Sequence, residues 1–245
     1  MRLRIVGCSG SVPGPQGPAS CYLIEHEGSR LLLDLGNGAF GPLQRYVDPL
    51  AIDAVVLTHL HADHCLDMTS YAVYRRVRRQ AEPVPVLAPA QAAHRLAVAH
   101  DLSAAPLSDV FAFTNLSERR WDIGPFAITA ARVNHPLETY AIRVEAGGRS
   151  MTYSGDTGRS GALITLARGS NLLLCEATFT SDVDVPPNLH LTGSEAAEHA
   201  RRAEVERLVL THLLPWTDSM AVLGEACESF RGLTEVAAPG AGYDV

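Results

Sequence analysis

The sequence predicts a single α/β domain, and three observations carry that expectation. Short runs rich in Val, Ile and Leu, at residues 3–7, 54–57, 126–133, 171–174 and 207–211, read as buried strands, with segments of helical character between several of them. No repeat and no low-complexity linker interrupts the 245 residues. Chemically active side chains also sit where apolar strands stop: His59, His135, Asp156 and His212 each follow such a strand.

Composition bounds the possibilities. With 47% hydrophobic and 19% charged residues, the chain has the make-up of an ordinary soluble globular protein, long enough to bury a substantial core. A formal net charge of −7 argues against gripping long nucleic acid, which needs a basic surface. Small anionic substrates stay open, because bound metal ions supply a positive field locally. Cys8, Cys21, Cys65, Cys175 and Cys227 are odd in number and lack CxxC spacing, which favours reduced thiols over a disulfide frame. No basic-apolar-small leader opens the sequence and no apolar run reaches membrane-spanning length; the expected location is cytoplasmic, with no membrane partner.

Taken in order, the strand at 3–7 runs into a Gly/Pro loop from Cys8 to Pro18, which either closes over a substrate or merely turns a corner. Residues 21–25 and 30–34 pair as a hairpin across 26–29. Asp34, just before Leu35-Gly36-Asn37-Gly38, either holds that loop through backbone amides or makes a simple Asx turn. A helix over 40–46 leads to the strand at 54–57, and helical character resumes at Asp67 and continues over 71–80. Arg75, Arg76, Arg78 and Arg79 cover more than one face of that helix, so most of them are expected to be solvated, with one left free to touch a phosphate. Residues 83–87 read as a strand and 90–100 as an amphipathic helix whose His94 and His100 carry no assigned chemistry. The strand at 126–133 ends at Asn134-His135-Pro136. A hairpin of 140–145 and 149–154 runs out into Gly155-Asp156-Thr157-Gly158. The strand at 171–174 ends at Cys175-Glu176, His190 to Glu195 forms a loop and N-cap opening a helix over 195–204, and the strand at 207–211 ends at His212.

The densest chemistry is Thr58-His59-Leu60-His61-Ala62-Asp63-His64, placed where a strand gives way to a helix. Imidazole nitrogen and carboxylate oxygen are the ligands zinc takes, and His-x-His supplies two from one extended segment. A lone histidine at a strand end is ordinarily a polar surface residue, but four donors within six residues are hard to explain as packing. Because strand ends on one edge of a sheet sandwich converge, the later residues join this cluster. His59, His61 and His135 group around one ion, Asp63, His64 and His212 around another, and Asp156 lies between them. Two ions held this close fit metal-assisted hydrolysis.

These residues resemble the metallo-β-lactamase-fold hydrolases, with His59-x-His61-x-Asp63-His64 as the signature, followed by His135, Ser154-Gly155-Asp156-Thr157 and Thr211-His212. The resemblance covers nearly the whole chain and implies a four-layer αββα sandwich with a dinuclear site, usually two Zn2+, with manganese or iron as alternatives. Glu176-Ala177-Thr178-Phe179 and His190-Leu191-Thr192 look like the ribonuclease Z branch, which cleaves phosphodiesters. Gly7-Cys8-Ser9-Gly10-Ser11, His64-Cys65-Leu66-Asp67 and Leu189-His190-Leu191 resemble an actinobacterial group described as atypical cyclic-nucleotide phosphodiesterases. The ribonuclease Z resemblance implies His190 as proton donor to the leaving oxygen, with Glu176 holding its other nitrogen; the alternative is a helix-capping loop histidine. Asp63 could assist the attacking water besides binding metal. A homodimer is expected from relatives.

Departures from the pattern select the substrate. Ribonuclease Z carries a long arm for the tRNA elbow between the residues equivalent to His135 and Asp156, and here only a hairpin's length separates them. Cys175 stands where that branch often has a histidine, and is read as a packing residue. The expected substrate is therefore a small phosphodiester, foremost a 3′,5′-cyclic nucleotide such as cAMP hydrolysed to the 5′-monophosphate. A tRNA 3′-processing nuclease, a metallo-hydrolase of a lactone or thioester, and a non-catalytic metal-bound interaction protein are the alternatives. An oxygen-reducing di-iron protein is disfavoured by His61, where a glutamate is usual.

Overall fold

A computed structural model describes residues 1–79, 82–100, 107–184 and 186–245. The first half runs β1 (Arg2–Gly7), β2 (Cys21–His26), β3 (Ser29–Leu33), α1 (Phe40–Leu43), β4 (Ala54–Val56), α2 (Ala62–Cys65), α3 (Met68–Val77), β5 (Val84–Ala88), α4 (Ala92–Ala99) and β6 (Phe111–Asn115). The second half runs β7 (Arg120–Ile123), β8 (Phe126–Arg132), β9 (Tyr140–Ala146), β10 (Arg149–Tyr153), α5 (Gly161–Ala167), β11 (Leu172–Glu176), α6 (Gly193–Arg202), β12 (Arg207–Thr211), α7 (Ser219–Ser229), β13 (Leu233–Val236) and β14 (Gly242–Asp244).

These form two seven-stranded mixed sheets, ordered β14-β1-β2-β3-β4-β5-β6 and β13-β12-β11-β10-β9-β8-β7. Strand composition explains the layering. In β2, Tyr22 and Ile24 face inward while Cys21 and Leu23 face outward, so the run is apolar without alternation, as a strand covered on both faces must be. Between the sheets, Leu3, Ile5, Leu31 and Leu33 meet Phe126, Ile142, Met151 and Leu174. Outside the first sheet, Leu43, Met68, Tyr71, Ala92 and Leu96 bring α1, α3 and α4 onto Val6, Leu32 and Val55. Outside the second, Leu163, Ala196, Ala200, Val222 and Ala226 bring α5, α6 and α7 onto Leu173, Cys175 and Leu208. This is the αββα sandwich of the metallo-β-lactamase fold, and Cys175 packs in its outer core.

Local chemistry sets several boundaries differently from the sequence reading. The helix expected over 195–204 starts two residues earlier, because Thr192 caps it: its hydroxyl accepts from Glu195 N at 3.2 Å and the Glu195 carboxylate accepts from Thr192 N at 3.0 Å, a full capping box. The helix expected over 71–80 is α3, from Met68 to Val77; Gln80 lies outside the described residues. Its basic run is not uniformly solvated. Arg75 is buried, lies over the Tyr71 ring and donates to Glu82 O, whereas Arg76 pairs with Asp109 at 2.7 Å and Arg78 and Arg79 are exposed.

Two glycine positions let the backbone come close beneath the later site. A Cβ on Gly36 would lie 1.9 Å from Asp63 O, so only glycine allows Leu35 N and Asn37 N to bond His64 O and Ala62 O. A Cβ on Gly10 would lie 2.2 Å from His212 O. The Gly/Pro loop therefore braces His212, whose own N–H bonds Cys8 O at 3.0 Å while Gly10 N bonds Leu213 O at 2.9 Å.

Candidate metal centre

The site lies where strands of both sheets end. β4 stops before Thr58 and His59, and His61 stays extended as the N-cap of α2, a single turn that aims Asp63 and His64 the same way. Beyond β8, β10 and β12 come His135, Asp156 and His212. His212 has a φ of +61°, a strained backbone for a non-glycine residue, held by the loop contacts just described.

All seven side chains converge, in two sets that share Asp156. In the first set, His61 Nδ1 lies 3.0 Å from His59 Nε2 and 3.3 Å from His135 Nε2, and His59 Nε2 lies 3.5 Å from Asp156 Oδ2. In the second, His212 Nε2 lies 3.1 Å from Asp63 Oδ2 and 3.2 Å from His64 Nε2, and Asp156 Oδ1 lies 3.2 Å from His64 Nε2. Ligand atoms held ~2.1 Å from one tetrahedral ion are about 3.4 Å apart, so both sets have the spacing of a cation's coordination sphere. Asp156 turns one oxygen to each set. Its buried Oδ1 has no hydrogen-bond partner among the described residues, an expensive omission for a buried oxygen unless a cation satisfies it.

The contacts behind the rings agree. Each of four histidines spends Nδ1 on a protein oxygen: His59 on Thr58 Oγ1 at 3.1 Å, His64 on Asp34 Oδ2 at 2.8 Å, His135 on Leu189 O at 2.9 Å, and His212 on Thr178 Oγ1 at 2.9 Å. The Thr58 hydroxyl donates to Asp34 Oδ2 at 2.8 Å and the Thr178 hydroxyl to Glu176 Oε2 at 2.9 Å, so each accepts from its histidine. Nδ1 therefore carries the proton, and the Nε2 lone pair faces the cluster, as metal-binding imidazoles are commonly set.

Electrostatics also calls for a cation. Burial opposes ionisation of Asp156, yet the imidazoles of His212, His64 and His59 outweigh it and hold the carboxyl well below the usual carboxylate range. Burial likewise opposes charge on His64, but Asp156, Asp34 and Asp63 raise its pKa well above an ordinary histidine's. Burial, with neighbouring imidazoles, lowers His59, His61 and His135. With no cation bound, Asp34, Asp63 and Asp156 drive a proton onto His64 in the place an ion would take, while the three histidines of the first set stay neutral beside the shared Asp156.

Beside the cluster, His190 Nδ1 lies 2.9 Å from Glu176 Oε1. Glu176 is fully buried and also accepts from Thr157 N at 2.7 Å, Leu191 N at 3.1 Å and Thr178 Oγ1. With four donors on two oxygens it has no lone pair directed at an ion, although Glu176, His190 and His212 lie within coordinating distance of one another. Burial opposes protonation of His190, and Glu176 outweighs it, pushing the pKa up to about 9. Its ring centroid is 5.2 Å from that of His212 and 5.5 Å from that of His135.

Asp34 is the contributor the sequence left half-read. It accepts from Thr58 N at 2.7 Å, as expected of a loop-holding aspartate, but it also takes Tyr153 Oη at 3.0 Å and orients His64. The available signal was its place at the end of β3, the same placement that marked His59 and His212. Thr58 and Thr178 stand inside the two stretches the sequence singles out, Thr58–His64 and Glu176–Phe179, but nothing there marks a role of their own.

Comparison with known proteins assigns this arrangement to a class. The family model described as the beta-lactamase superfamily domain matches residues 29–213; the chain belongs to that superfamily and is a metallo-hydrolase. It is 40% identical to an uncharacterized protein of Mycobacterium leprae, across 100% of this chain and 89% of that one. It is 28% identical to a ribonuclease Z of Myxococcus xanthus, covering 98% and 96% of the two chains. The crystal structure of YhfI, a metallo-β-lactamase fold protein from Bacillus subtilis, superposes with a TM-score of 0.90 at 25% identity, over 99% of this chain and 98% of that one.

Proposed function

We propose that the protein hydrolyses a small phosphodiester, foremost a 3′,5′-cyclic nucleotide such as cAMP to its 5′-monophosphate, using two zinc ions. The observation that carries this reading is Asp156, one oxygen toward each donor set, with the His190–Glu176 pair alongside. In it, His59, His61 and His135 would hold one ion and Asp63, His64 and His212 the other, with Asp156 shared by both sets. Zinc, or manganese or iron in its place, supplies the Lewis acidity that binds a phosphate oxygen and lowers the pKa of a water.

The chain's own residues do the rest. His190, protonated through its partnership with Glu176, gives its Nε2 proton to the 3′ oxygen as the P–O bond breaks and the oxygen of a water, one proton already lost to solvent, bonds to phosphorus. Glu176 is a positioning residue: it fixes the His190 ring and stabilises the charged form. In this reading the Asp63 carboxylate holds its ion first, and as a second role accepts a hydrogen bond from the attacking water.

Two observations favour a small substrate over a long one. The net charge of −7 is a poor match to a polyphosphate backbone, and β9 and β10 join through the two residues Gly147 and Gly148, leaving no room for an RNA-binding arm between His135 and Asp156. A ribonuclease Z-like nuclease is the second reading, favoured by the Myxococcus xanthus relative; lactone or thioester hydrolysis lacks a use for His190. Among the described residues no helix is long and apolar enough to cross a membrane, and the proposed setting is cytoplasmic, with reduced thiols and a homodimer as the assembly.

Metal analysis followed by product identification with cAMP, cGMP, a tRNA precursor, a lactone and a thioester tests this. Formation of 5′-monophosphate is expected. Cleavage of the tRNA precursor alone replaces the reading with the nuclease, and a fully metallated but inert protein makes it an interaction module. His190→Ala is expected to keep its metal and lose ~10²–10⁴ in turnover; unchanged turnover removes His190 from the reaction.

A further inference from the structure

A cavity of about 600 Å³ lies between the loop after β11 and the loop that opens α7, within the size range of small-molecule sites. Phe179, Val183, Leu214 and Trp216 supply its apolar lining. Phe179 joins it to the proposed chemistry: its ring packs edge-on against His190 with centroids 5.8 Å apart. Val183 belongs also to a cavity of about 470 Å³ that His190 itself lines. Phe179 thus stands between the apolar cavity and His190, the group that would release the leaving oxygen.

Trp216 is the unusual residue. It is 73% exposed, a large rigid aromatic face held out to solvent at the mouth of a cavity, which a folded chain gains nothing by leaving uncovered. The walls around it are prebuilt: the Glu225 carboxylate of α7 accepts from Ser181 N at 2.7 Å and Ser181 Oγ at 2.9 Å, and Asp218 caps α7 by accepting from Met220 N at 2.9 Å. Asp182 completes an acidic rim, and among the described residues no arginine or histidine lines this cavity. Such a rim repels a second phosphate and admits an uncharged planar group.

We propose that this cavity is a subsite for a nucleobase on the alcohol side of the substrate, with Trp216 stacking on its face. The inference rests on the phosphodiester reading above and deepens it. It makes Trp216 a specificity residue: the phosphate sits at the donor sets, the sugar passes His190, and the base ends against Phe179 and Trp216. A continuing nucleic-acid strand would place its next phosphate among Asp182, Asp218 and Glu225, so the same subsite selects a mononucleotide.

The test compares wild type, Trp216→Ala and Trp216→Phe on cAMP and on the base-free methyl riboside 3′,5′-cyclic phosphate. Stacking worth a few kcal/mol per base predicts that Trp216→Ala lowers the ratio of kcat/KM for cAMP to that for the base-free diester about 5- to 100-fold, through KM, and that Trp216→Phe restores most of it. An unchanged ratio overturns the subsite and leaves diester hydrolysis standing. A second arm needs no turnover: AMP titrated into wild type should quench indole emission beyond any change seen in Trp216→Phe, whose remaining emission comes from Trp121. Absence of that quench also overturns the subsite. Quenching in a protein that cleaves no diester keeps the subsite and overturns the functional reading instead.

Discussion

Asp34→Asn is the most informative single change to the centre, because it removes one charge and almost no volume. Asp34 Oδ1 takes Thr58 N–H at 2.7 Å, and Oδ2 takes the Thr58 hydroxyl, the Tyr153 hydroxyl and His64 Nδ1 at 2.8, 3.0 and 2.8 Å. An asparagine that keeps its oxygen toward Thr58 N–H turns its NH2 toward the other three. Both hydroxyls can rotate and accept, but His64 Nδ1 can accept only by shifting its proton to Nε2, the nitrogen 3.2 Å from His212 Nε2 in the second donor set. The flipped amide instead sets its NH2 against the Thr58 amide. Either way one buried hydrogen bond is lost, at about 1–3 kcal/mol, and the first alternative charges that cost to metal binding.

The expected result is a fold that survives with a lower melting temperature and a second ion bound ~10–100-fold more weakly, the usual range for losing such a support. The ion of the His59, His61 and His135 set is affected less, since the Thr58 hydroxyl still reaches His59 Nδ1. Metal content after dialysis against graded chelator, read by elemental mass spectrometry, measures this. Histidine tautomers are read separately by 15N-detected NMR. Equal retention of both ions by wild type and variant would refute the account of Asp34, and with it the assignment of Nδ1 as His64's protonated nitrogen.

Other predictions follow from the same geometry. Gly36→Ala puts a Cβ 1.9 Å from Asp63 O, so it should cost about 1–3 kcal/mol and deplete metal, whereas Gly41→Ala, where a Cβ meets nothing within 4 Å, should be neutral; chelator titration and melting curves distinguish them. Removing metal leaves the buried carboxylates of Asp63 and Asp156 with the neighbouring imidazoles alone, and a ligand that binds only the folded state stabilises it, so the melting temperature should fall on chelation and recover with zinc in a concentration-dependent way. His199 accepts from Ser160 N at 3.0 Å and donates to Glu195 O at 2.7 Å, and burial lowers its pKa. The unfolded chain then takes a proton the folded one refuses. Its contribution is present above the unfolded value of about 6.5 and is lost as pH falls below it. Between pH 7.5 and 5.5 the melting temperature should fall more steeply in wild type than in His199→Gln, and parallel slopes would refute this.

The sequence exposed the centre because its residues obey a rule local in sequence: each follows an apolar strand, and parallel strands bring their ends together. His59 and Asp34 come together in this way through β3 and β4, and Asp156, Glu176 and His212 through β10, β11 and β12. What the sequence hid depends on contacts between distant segments. β6, β7, β13 and β14 lie at or next to sheet edges with weak apolar patterning, such as the half-exposed Arg120–Ile123, and they become strands through their partners. α5 and α7 were missed because small residues, as in Gly161-Ala162-Leu163, give a weak helical period, while their caps at Ser160 and Asp218 are visible only once paired. Which of the four arginines is buried does not show in the sequence, because the burial of Arg75 depends on Tyr71 beneath it and on a carbonyl at Glu82.

The proposed roles of Glu176 and Asp34 follow from how many donors each accepts. Both are buried carboxylates at the end of a strand, and the oxygens of both are taken up by donors of the protein itself. Asp34 sets the rings of His64 and, through Thr58, His59; Glu176 sets those of His190 and, through Thr178, His212. Each threonine hydroxyl is the one group that can accept from a ring N–H while donating to the carboxylate, so valine at either position keeps the shape and breaks the relay. Thr178→Val should therefore disturb both partners of Glu176 at once, weakening the ion at His212 and altering the pH dependence of turnover through His190. Thr58→Val should weaken metal binding at His59 without moving that pH profile. If Thr58→Val shifted the profile as far as Thr178→Val does, the two carboxylates would not act on separate halves of the centre.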